Sequence, residues 1–313
     1  MAFGGVACEG RGMRVLIVGC GYVGLPLGAA LVRQGHDVVG MRRTPGGEGP
    51  LIDAGMQPCI GDLTSEGFEI PAGRFDAVVF TASAGVTATT AATRALQVEG
   101  LARVVARLAK EPPRKFVYAG SKSVYGQEDG AAVKETSLTQ PAGERAKVWL
   151  EAERWLLGPG KSVGPVVLRL GDIYGPGREL FVEDFAKNRF RIPGSGQRHL
   201  NLIHRDDVVG AILAALKNGR AGEVYNAVDD EPVRETQFFS WLAETLGKWM
   251  PSNGPEEGDP ERRRELANCK VSNRRLTMEL GYRLKFPNFR QGYTAEIKRM
   301  TDDGTLEIVP EAR

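Results

Sequence analysis

The sequence predicts an α/β protein: a doubly wound parallel sheet of the Rossmann type with a smaller C-terminal lobe that holds substrate. Three observations carry this. Short apolar runs alternate with helical patterns over the first 170 residues, the first run ends in a glycine-rich turn that opens a helix, and Pro-Gly clusters break the alternation in the second half. Apolar strands separated by helices mark a parallel sheet covered on both faces. Right-handed crossovers then wind such a sheet in both directions from its first strand.

Taken in order, Arg14 to Gly19 is the first strand, and Val23 to Gln34 reads as a helix stopped by Gly35. Strands follow at Asp37 to Met41, Gln57 to Gly61, Asp76 to Phe80, Lys115 to Ala119 and Pro165 to Leu170. The Ala/Leu/Val/Arg pattern from Thr90 to Lys110 predicts a long helix, and Ala142 to Leu157 another. Beyond residue 170, Gly175-Pro176-Gly177 and Pro193-Gly194-Ser195-Gly196 mark excursions off the sheet. Helices are expected at Asp206 to Lys217, Thr236 to Leu246 and Ser272 to Leu280. Pro251 to Glu265, rich in Pro, Gly and charge, reads as a mobile loop followed by a short charged helix. Residues 1–12 are small, Gly-rich and aperiodic, and read as a disordered extension or an upstream start before Met13. The division is therefore 13–170 for the Rossmann domain and 171–313 for a lobe partly interleaved with its sheet.

Composition narrows the partners. With 41 basic against 39 acidic residues the net charge is +2, which makes no electrostatic case for nucleic acid or a membrane surface. The apolar runs are far shorter than a membrane span. Cys8, Cys20, Cys59 and Cys269 stand far apart, so a reducing compartment, the cytoplasm, is expected. Three histidines leave little for a metal site, and none is expected.

The strongest motif is Gly19-Cys20-Gly21-Tyr22-Val23-Gly24, a G-x-G-x-x-G between strand and helix. Gly19 permits the tight turn, Gly21 lets the backbone approach a diphosphate, and Gly24 lets helix and sheet pack closely. The helix N-terminus then offers free N–H groups to the phosphates. An acidic residue at the end of the second strand would select NAD. This chain has Arg42-Arg43-Thr44 there instead. Two guanidiniums and a hydroxyl suit a 2′-phosphate, so NADP is preferred over NAD; a pair of solvated arginines is the alternative. Asp62-Leu63, after the third strand, would flank the adenine, or Asp62 would cap a helix.

With these residues the chain resembles the extended short-chain dehydrogenase/reductases from about Arg14 to Ile297. The resemblance also rests on Phe80-Thr81-Ala82-Ser83-Ala84, on Tyr118 through Gly126, on Leu168 through Arg178, on Asn201 through Asp207 and on Val224 through Asp230. More closely, it looks like the atypical NAD(P)-dependent epimerase subgroup that lacks the active-site tyrosine. The resemblance implies that Thr81 and Ala82 line the cofactor site. It places Ser121 at the hydroxyl position that orients a substrate oxygen, with capping of the following turn as its structural alternative. Lys147 falls at the lysine that holds the nicotinamide ribose, with a solvated helix face as its alternative. Ser83, Asp172, Arg178 and His204 fall on the substrate side, with a surface salt bridge as the alternative for Arg178 and a satisfied structural histidine as the alternative for His204.

The departures matter as much. The family spacing Tyr-x-x-x-Lys puts Gly143 where the tyrosine should be. A positioned acid/base is worth about 10²–10⁴ in rate. Lys122 and Ser123 replace the Asp and Glu of the family's dehydratases, and the family's upstream Asn is replaced in Leu96-Gln97-Val98-Glu99-Gly100. Tyr125, Glu144, Asp172 and His204 are the candidates to supply a proton instead. The expectation is an NADP(H)-dependent oxidoreductase or epimerase acting on a small polar molecule, a sugar or nucleotide-linked sugar among the candidates. The alternative is an NADP-binding sensor that has lost turnover. The apolar residues Val148, Trp149, Leu150, Trp155 and Leu156 make a homodimer through that helix the expected assembly, with burial within the chain as the alternative.

Overall fold

The computed structural model describes residues 12–85, 87–254 and 267–310. The expected N-terminal extension and most of the charged loop after Pro251 lie outside the described residues. Seven strands form the main sheet: β1 Arg14–Val18, β2 Asp37–Arg42, β3 Gln57–Ile60, β4 Ala77–Phe80, β5 Lys115–Ser121, β6 Pro165–Leu170 and β7 Val224–Ala227. Their order is β7-β6-β5-β4-β1-β2-β3, all parallel. The chain winds outward from β1 twice, once through β2 and β3 and once through β4 to β7. A crevice therefore opens above the C-terminal ends of β1 and β4, where the winding reverses.

The strand alternation builds two cores. Val15 and Ile17 point to one face, where α1 (Gly24–Arg33) and a later helix (Arg205–Asn218) bury Leu27, Leu31, Val208 and Ile212. Leu16 and Val18 point to the other, with Leu101, Val104, Leu108 and Leu156. Both sets are almost fully removed from water, which is why β1 reads as an unbroken apolar run. The expected helix from Thr90 is interrupted. α2 (Thr90–Arg94) and α3 (Leu101–Leu108) flank a π-helical stretch, Ala95–Gly100. Such bulges turn side chains to new directions. This one carries Gln97, which is fully buried.

The second half differs from expectation in three places. Val224–Ala227 completes the main sheet as β7, pairing with β6. The helix expected at Ser272 to Leu280 is shorter, Arg274–Met278, and a strand that the sequence reading did not expect, Cys269–Val271, precedes it and pairs with Ala131–Val133. A helix that the sequence reading missed, Phe289–Asp302, closes the C-terminal lobe. Asn288 caps it by accepting the Gln291 N–H at 3.1 Å. It buries Phe289, Tyr293 and Met300 against Tyr174, Phe238 and Leu242.

Helix α4 (Glu144–Leu157) covers the edge of the β5–β6 layer, and α5 names the helix Arg205–Asn218. Within α4, Val148, Leu150 and Leu156 are buried inside the chain. Its outward residues are polar: Glu144 binds Lys147 and Glu151 binds Arg94. Trp149 and Trp155 of the same helix are partly buried against the second core. None of the helices of the described residues is long and apolar enough to cross a membrane.

Candidate cofactor and reaction cleft

A cleft of about 950 Å³ lies over the C-terminal ends of the strands, running from Arg43 past the glycine turn to Ser121 and Leu180. Its floor is the Gly19–Gly24 turn, and the three glycines differ in what surrounds them. Gly19 has φ +95°, and a Cβ there would lie 2.4 Å from the Ala82 Cα. A Cβ on Gly24 would lie 2.6 Å from the Gly19 carbonyl oxygen. Above Gly21 there is nothing within 4 Å of a Cβ. Two glycines thus close the turn and the third leaves its upper face open. The first turn of α1 has neither a side-chain cap nor an acidic residue, so nothing there opposes the positive dipole end of the helix, although Leu25 and Leu27 spend their N–H groups on the Gly21 and Val23 carbonyls and Pro26 has none. Those features fit a diphosphate.

The surroundings hold this turn firmly. Thr81 donates its hydroxyl to the Gly19 carbonyl at 2.9 Å. Gln97, on the π-helical stretch, donates to the Ala82 carbonyl at 2.7 Å and accepts the Tyr118 hydroxyl at 2.9 Å. Burial pushes the Cys20 thiol up to about 12, against the pull of nearby Arg42, which makes it an inert filler of the turn. Val23 packs beneath the turn in the core.

The two arginines after β2 have separate jobs. Arg42 lines the cleft and donates to the Cys20 carbonyl at 2.8 Å and to the Gly47 carbonyl at 3.4 Å, so it braces the turn. Arg43 is exposed and lines the cleft, with Thr44 beside it. Among the described residues no hydrogen bond or ion pair holds Arg43. Asp62 and Leu63 line the same end. Hydrogen bonds from the Thr64 side chain and backbone lower the Asp62 carboxyl, with Arg43 adding to this.

At the opposite end β4 and β5 supply Ser83 and Ser121, both lining the cleft. The Ser121 hydroxyl lies 2.9 Å from that of Ser123 and caps the Lys122–Val124 turn through the Ser123 N–H. Ser121 therefore caps the following turn and lines the cleft at once. Asp172 lines the cleft and is paired with Lys122 at 3.1 Å. Arg178 also lines it, its guanidinium 4.3 Å from the ring centroid of Tyr22. That contact sets Arg178 beside the glycine turn, away from Ser121. Burial pushes the Tyr22 hydroxyl up to about 12, although Arg205 and Arg178 oppose this.

Two expected site residues are not brought to the cleft. Lys147 is on the exposed side of α4, its ammonium 2.7 Å from Glu144. Gly143 is the N-cap residue before that helix. The side chain of α4 that lines the cleft is Trp149, and Arg145, one turn earlier, donates to Gly85 on the cleft rim at 3.1 Å. The helix is locked in this rotation by Glu153, fully buried against Arg169 at 2.6 Å. Two positions on a helix amount to about 200° of turn, so a helix that faces the cleft with Trp149 must turn Lys147 away. His204 is the second. Its Nδ1 accepts the Asp206 N–H at 3.1 Å, capping α5, and its Nε2 lies 3.0 Å from Glu296. It is buried outside the cleft lining as a structural cap.

Among the proton donors weighed from the sequence, Tyr125 is fully buried, donating to Asn226 at 2.8 Å and accepting from Arg169 at 2.8 Å. Glu144 points outward to Lys147. Sequence reasoning missed Trp149 as a cleft residue because it read the helix from the Tyr-x-x-x-Lys spacing. It also missed Leu180, which lines the cleft mouth at φ +47°.

Comparison with known proteins agrees with this geometry. The family model for the NAD dependent epimerase/dehydratase family matches residues 15–227. Protein YeeZ of Escherichia coli (strain K12) is 30% identical over 287 residues, covering 88% of this chain and 97% of that protein. A 3-diazoavenalumate denitrifying reductase of a Streptomyces species is 27% identical over 307 residues, covering 91% of this chain and all of the other (100%). A solved structure of a functionally unknown conserved protein from Silicibacter pomeroyi DSS superposes with a TM-score of 0.75 at 27% identity, covering 92% of this chain and 99% of that one. With its doubly wound sheet, its glycine turn and a family match across most of its length, the chain belongs to the NAD dependent epimerase/dehydratase family, in an atypical branch without the active-site tyrosine.

Proposed function

We propose that this protein is an NADP(H)-dependent oxidoreductase that acts on a small molecule in the cytoplasm. The observation that carries the reading is the continuity of one cleft from an uncommitted Arg43 to Ser121. Arg43 and Thr44 take the 2′-phosphate, Asp62 and Leu63 flank the adenine, and the open face of Gly21 with the α1 N-terminus takes the diphosphate. Thr81 and Ala82 set the ribose and nicotinamide over the ends of β4 and β5. When bound, the cofactor supplies or accepts a hydride at its nicotinamide ring. The chain's own contribution is to orient and exclude. Ser121 donates a hydrogen bond to a substrate oxygen, and its partner Ser123 fixes the direction of that hydroxyl. Ser83 and Asp172 border the substrate position. No side chain of α4 offers the tyrosine proton, so the proton comes from water or from the Lys122–Asp172 pair.

Kinship with a reductase in Streptomyces supports the redox reading. A second reading, a dinucleotide-binding sensor without turnover, is favoured by the cleft position of Trp149 in place of an acid/base. The test is substrate-dependent change at 340 nm over a carbonyl and alcohol panel, alongside a cofactor titration. Turnover of any member supports the enzyme. Tight NADPH binding with no turnover supports the sensor.

A further inference from the structure

We infer that Arg178, on a loop of the C-terminal lobe, clamps the diphosphate of the bound dinucleotide. The inference rests on the cofactor reading above and moves Arg178 from the substrate side to the cofactor. The loop starts at Gly175-Pro176-Gly177. Gly175 and Arg178 exchange both of their backbone hydrogen bonds, at 2.8 and 3.1 Å, which fixes the backbone of Arg178. Gly175 has φ +138°, and a Cβ there would lie 3.1 Å from His204 Nε2 and 3.2 Å from the Tyr22 hydroxyl oxygen. The approach of this loop to Tyr22 therefore asks for glycine. Next along the chain, Glu179 accepts the Gly177 N–H at 2.7 Å and pairs with Arg299. The loop is thus packed on the glycine-turn tyrosine and tied to the C-terminal helix Phe289–Asp302.

The side chain on this fixed backbone has no protein partner but an aromatic ring. Arg178 is exposed and lines the cleft, its guanidinium 4.3 Å from the Tyr22 ring centroid. Among the described residues no hydrogen bond or ion pair holds that guanidinium, so its N–H donors are open to a ligand. Arg205, 5.3 Å from the same centroid, is spent on the Pro176 carbonyl and on Asp206. The nearest carboxylate in the sequence, Glu179, is taken by Arg299. Tyr22 is itself part of the glycine turn. The N–H groups of Tyr22, Val23 and Gly24 meet no acceptor among the described residues. Free backbone donors therefore lie at the base of the Tyr22 side chain, and a free guanidinium lies over its ring. The two are no further apart than the length of that side chain plus one stacking contact. A diphosphate hydrogen-bonded to the turn reaches across this span. The guanidinium fork then meets two phosphate oxygens with charge-assisted hydrogen bonds. Stacking on Tyr22 holds the fork in place before the ligand arrives, which lowers the cost of ordering it.

The experiment is calorimetric titration of the wild type and Arg178→Ala with NADPH, NADH and ADP-ribose, and NMR titration with adenosine 2′-monophosphate. Arg178→Ala should weaken the first three alike, by about tenfold, because all of them carry the diphosphate. Adenosine 2′-monophosphate has the 2′-phosphate and no diphosphate, so the two proteins should bind it within about twofold of each other. Arg178→Lys should recover part of the loss, keeping the charge without the fork. Unchanged affinity for NADH and ADP-ribose would overturn the inference. So would a loss confined to NADPH, which would put Arg178 with Arg43 at the 2′-phosphate. A loss that spares ADP-ribose would also overturn it, by putting the guanidinium at the nicotinamide end. Thermal unfolding of the unliganded variant checks that the loop is intact. Should Arg178→Ala lower the Tm, Arg178→Gln repeats the titrations with a polar side chain that lacks the charge. Failure of the wild type to bind NADPH or NADH is seen separately; it would bring down the cofactor reading and this assignment with it.

Discussion

Replacing Arg43 with alanine should cost NADPH affinity and leave NADH affinity alone. Arg43 is exposed and uncommitted, so its removal breaks nothing inside the protein. What is lost is one charge-assisted contact to the 2′-phosphate, worth about 1.5–3 kcal/mol, or roughly 10- to 150-fold in Kd. The lower half of that range is the better expectation, because an exposed pair is screened by water and salt. Arg42→Ala should behave differently. Arg42 donates to the Cys20 and Gly47 carbonyls, so its loss loosens the turn that both cofactors share. Both dinucleotides should weaken, by similar factors. The assay is titration of each single variant with NADPH and NADH at 50 and 300 mM salt. Only the Arg43 contribution should shrink at high salt. Equal losses of NADPH and NADH in Arg43→Ala would refute the assignment of the two arginines to different jobs.

Other perturbations test the remaining parts. Lys147→Ala should leave NADPH affinity within about twofold of wild type, since the side chain stands outside the cleft; a large loss by fluorescence titration would contradict the helix rotation described above. Glu153→Gln should destabilise the fold by about 3–5 kcal/mol in urea unfolding, because it leaves the Arg169 guanidinium buried without its counter-charge. Leu180→Gly should raise stability by about 1 kcal/mol in urea unfolding through relief of the left-handed backbone. Burial pushes Glu296 up, but hydrogen bonds from His204 and Arg299 outweigh it and hold the carboxyl below its ordinary value. Its folded pKa is therefore the depressed one: it contributes stability above the ordinary glutamate range, and that is lost as pH falls through the folded value. Glu296→Gln should flatten the acid limb of a stability profile as pH falls below the ordinary glutamate range.

The parts of the site that backbone geometry dictates were legible in the sequence. Gly19 and Gly24 sit where a Cβ would strike Ala82 or the Gly19 carbonyl, and such positions write themselves as glycine. The strands were legible for a similar reason, since burial on both faces demands an unbroken apolar run. Rotation of α4 was not legible. A four-residue spacing fits any face of a helix, and the face is chosen here by the distant pair Arg169–Glu153. Nor was the π-helical stretch, whose residues Ala95–Gly100 carry no period that distinguishes them from α-helix. His204 was misplaced because a histidine at a strand end reads the same as a ligand or as a cap. Only the position of Glu296, 92 residues on, decides it. The helix Phe289–Asp302 has its buried positions at helical spacing, but two of them are Gly292 and Glu296, which interrupt the apolar stripe as it is read from the sequence.

The most direct test of the account is titration of the wild-type protein with NADPH and with NADH, followed by indole fluorescence. Trp149 lines the cleft, so a reduced nicotinamide bound there should quench the indole and accept its excitation energy. The account predicts roughly micromolar NADPH affinity, NADH at least tenfold weaker, and energy transfer that Trp149→Phe reduces. Equal affinity for the two would contradict the role of Arg43, and no binding of either would contradict the account as a whole.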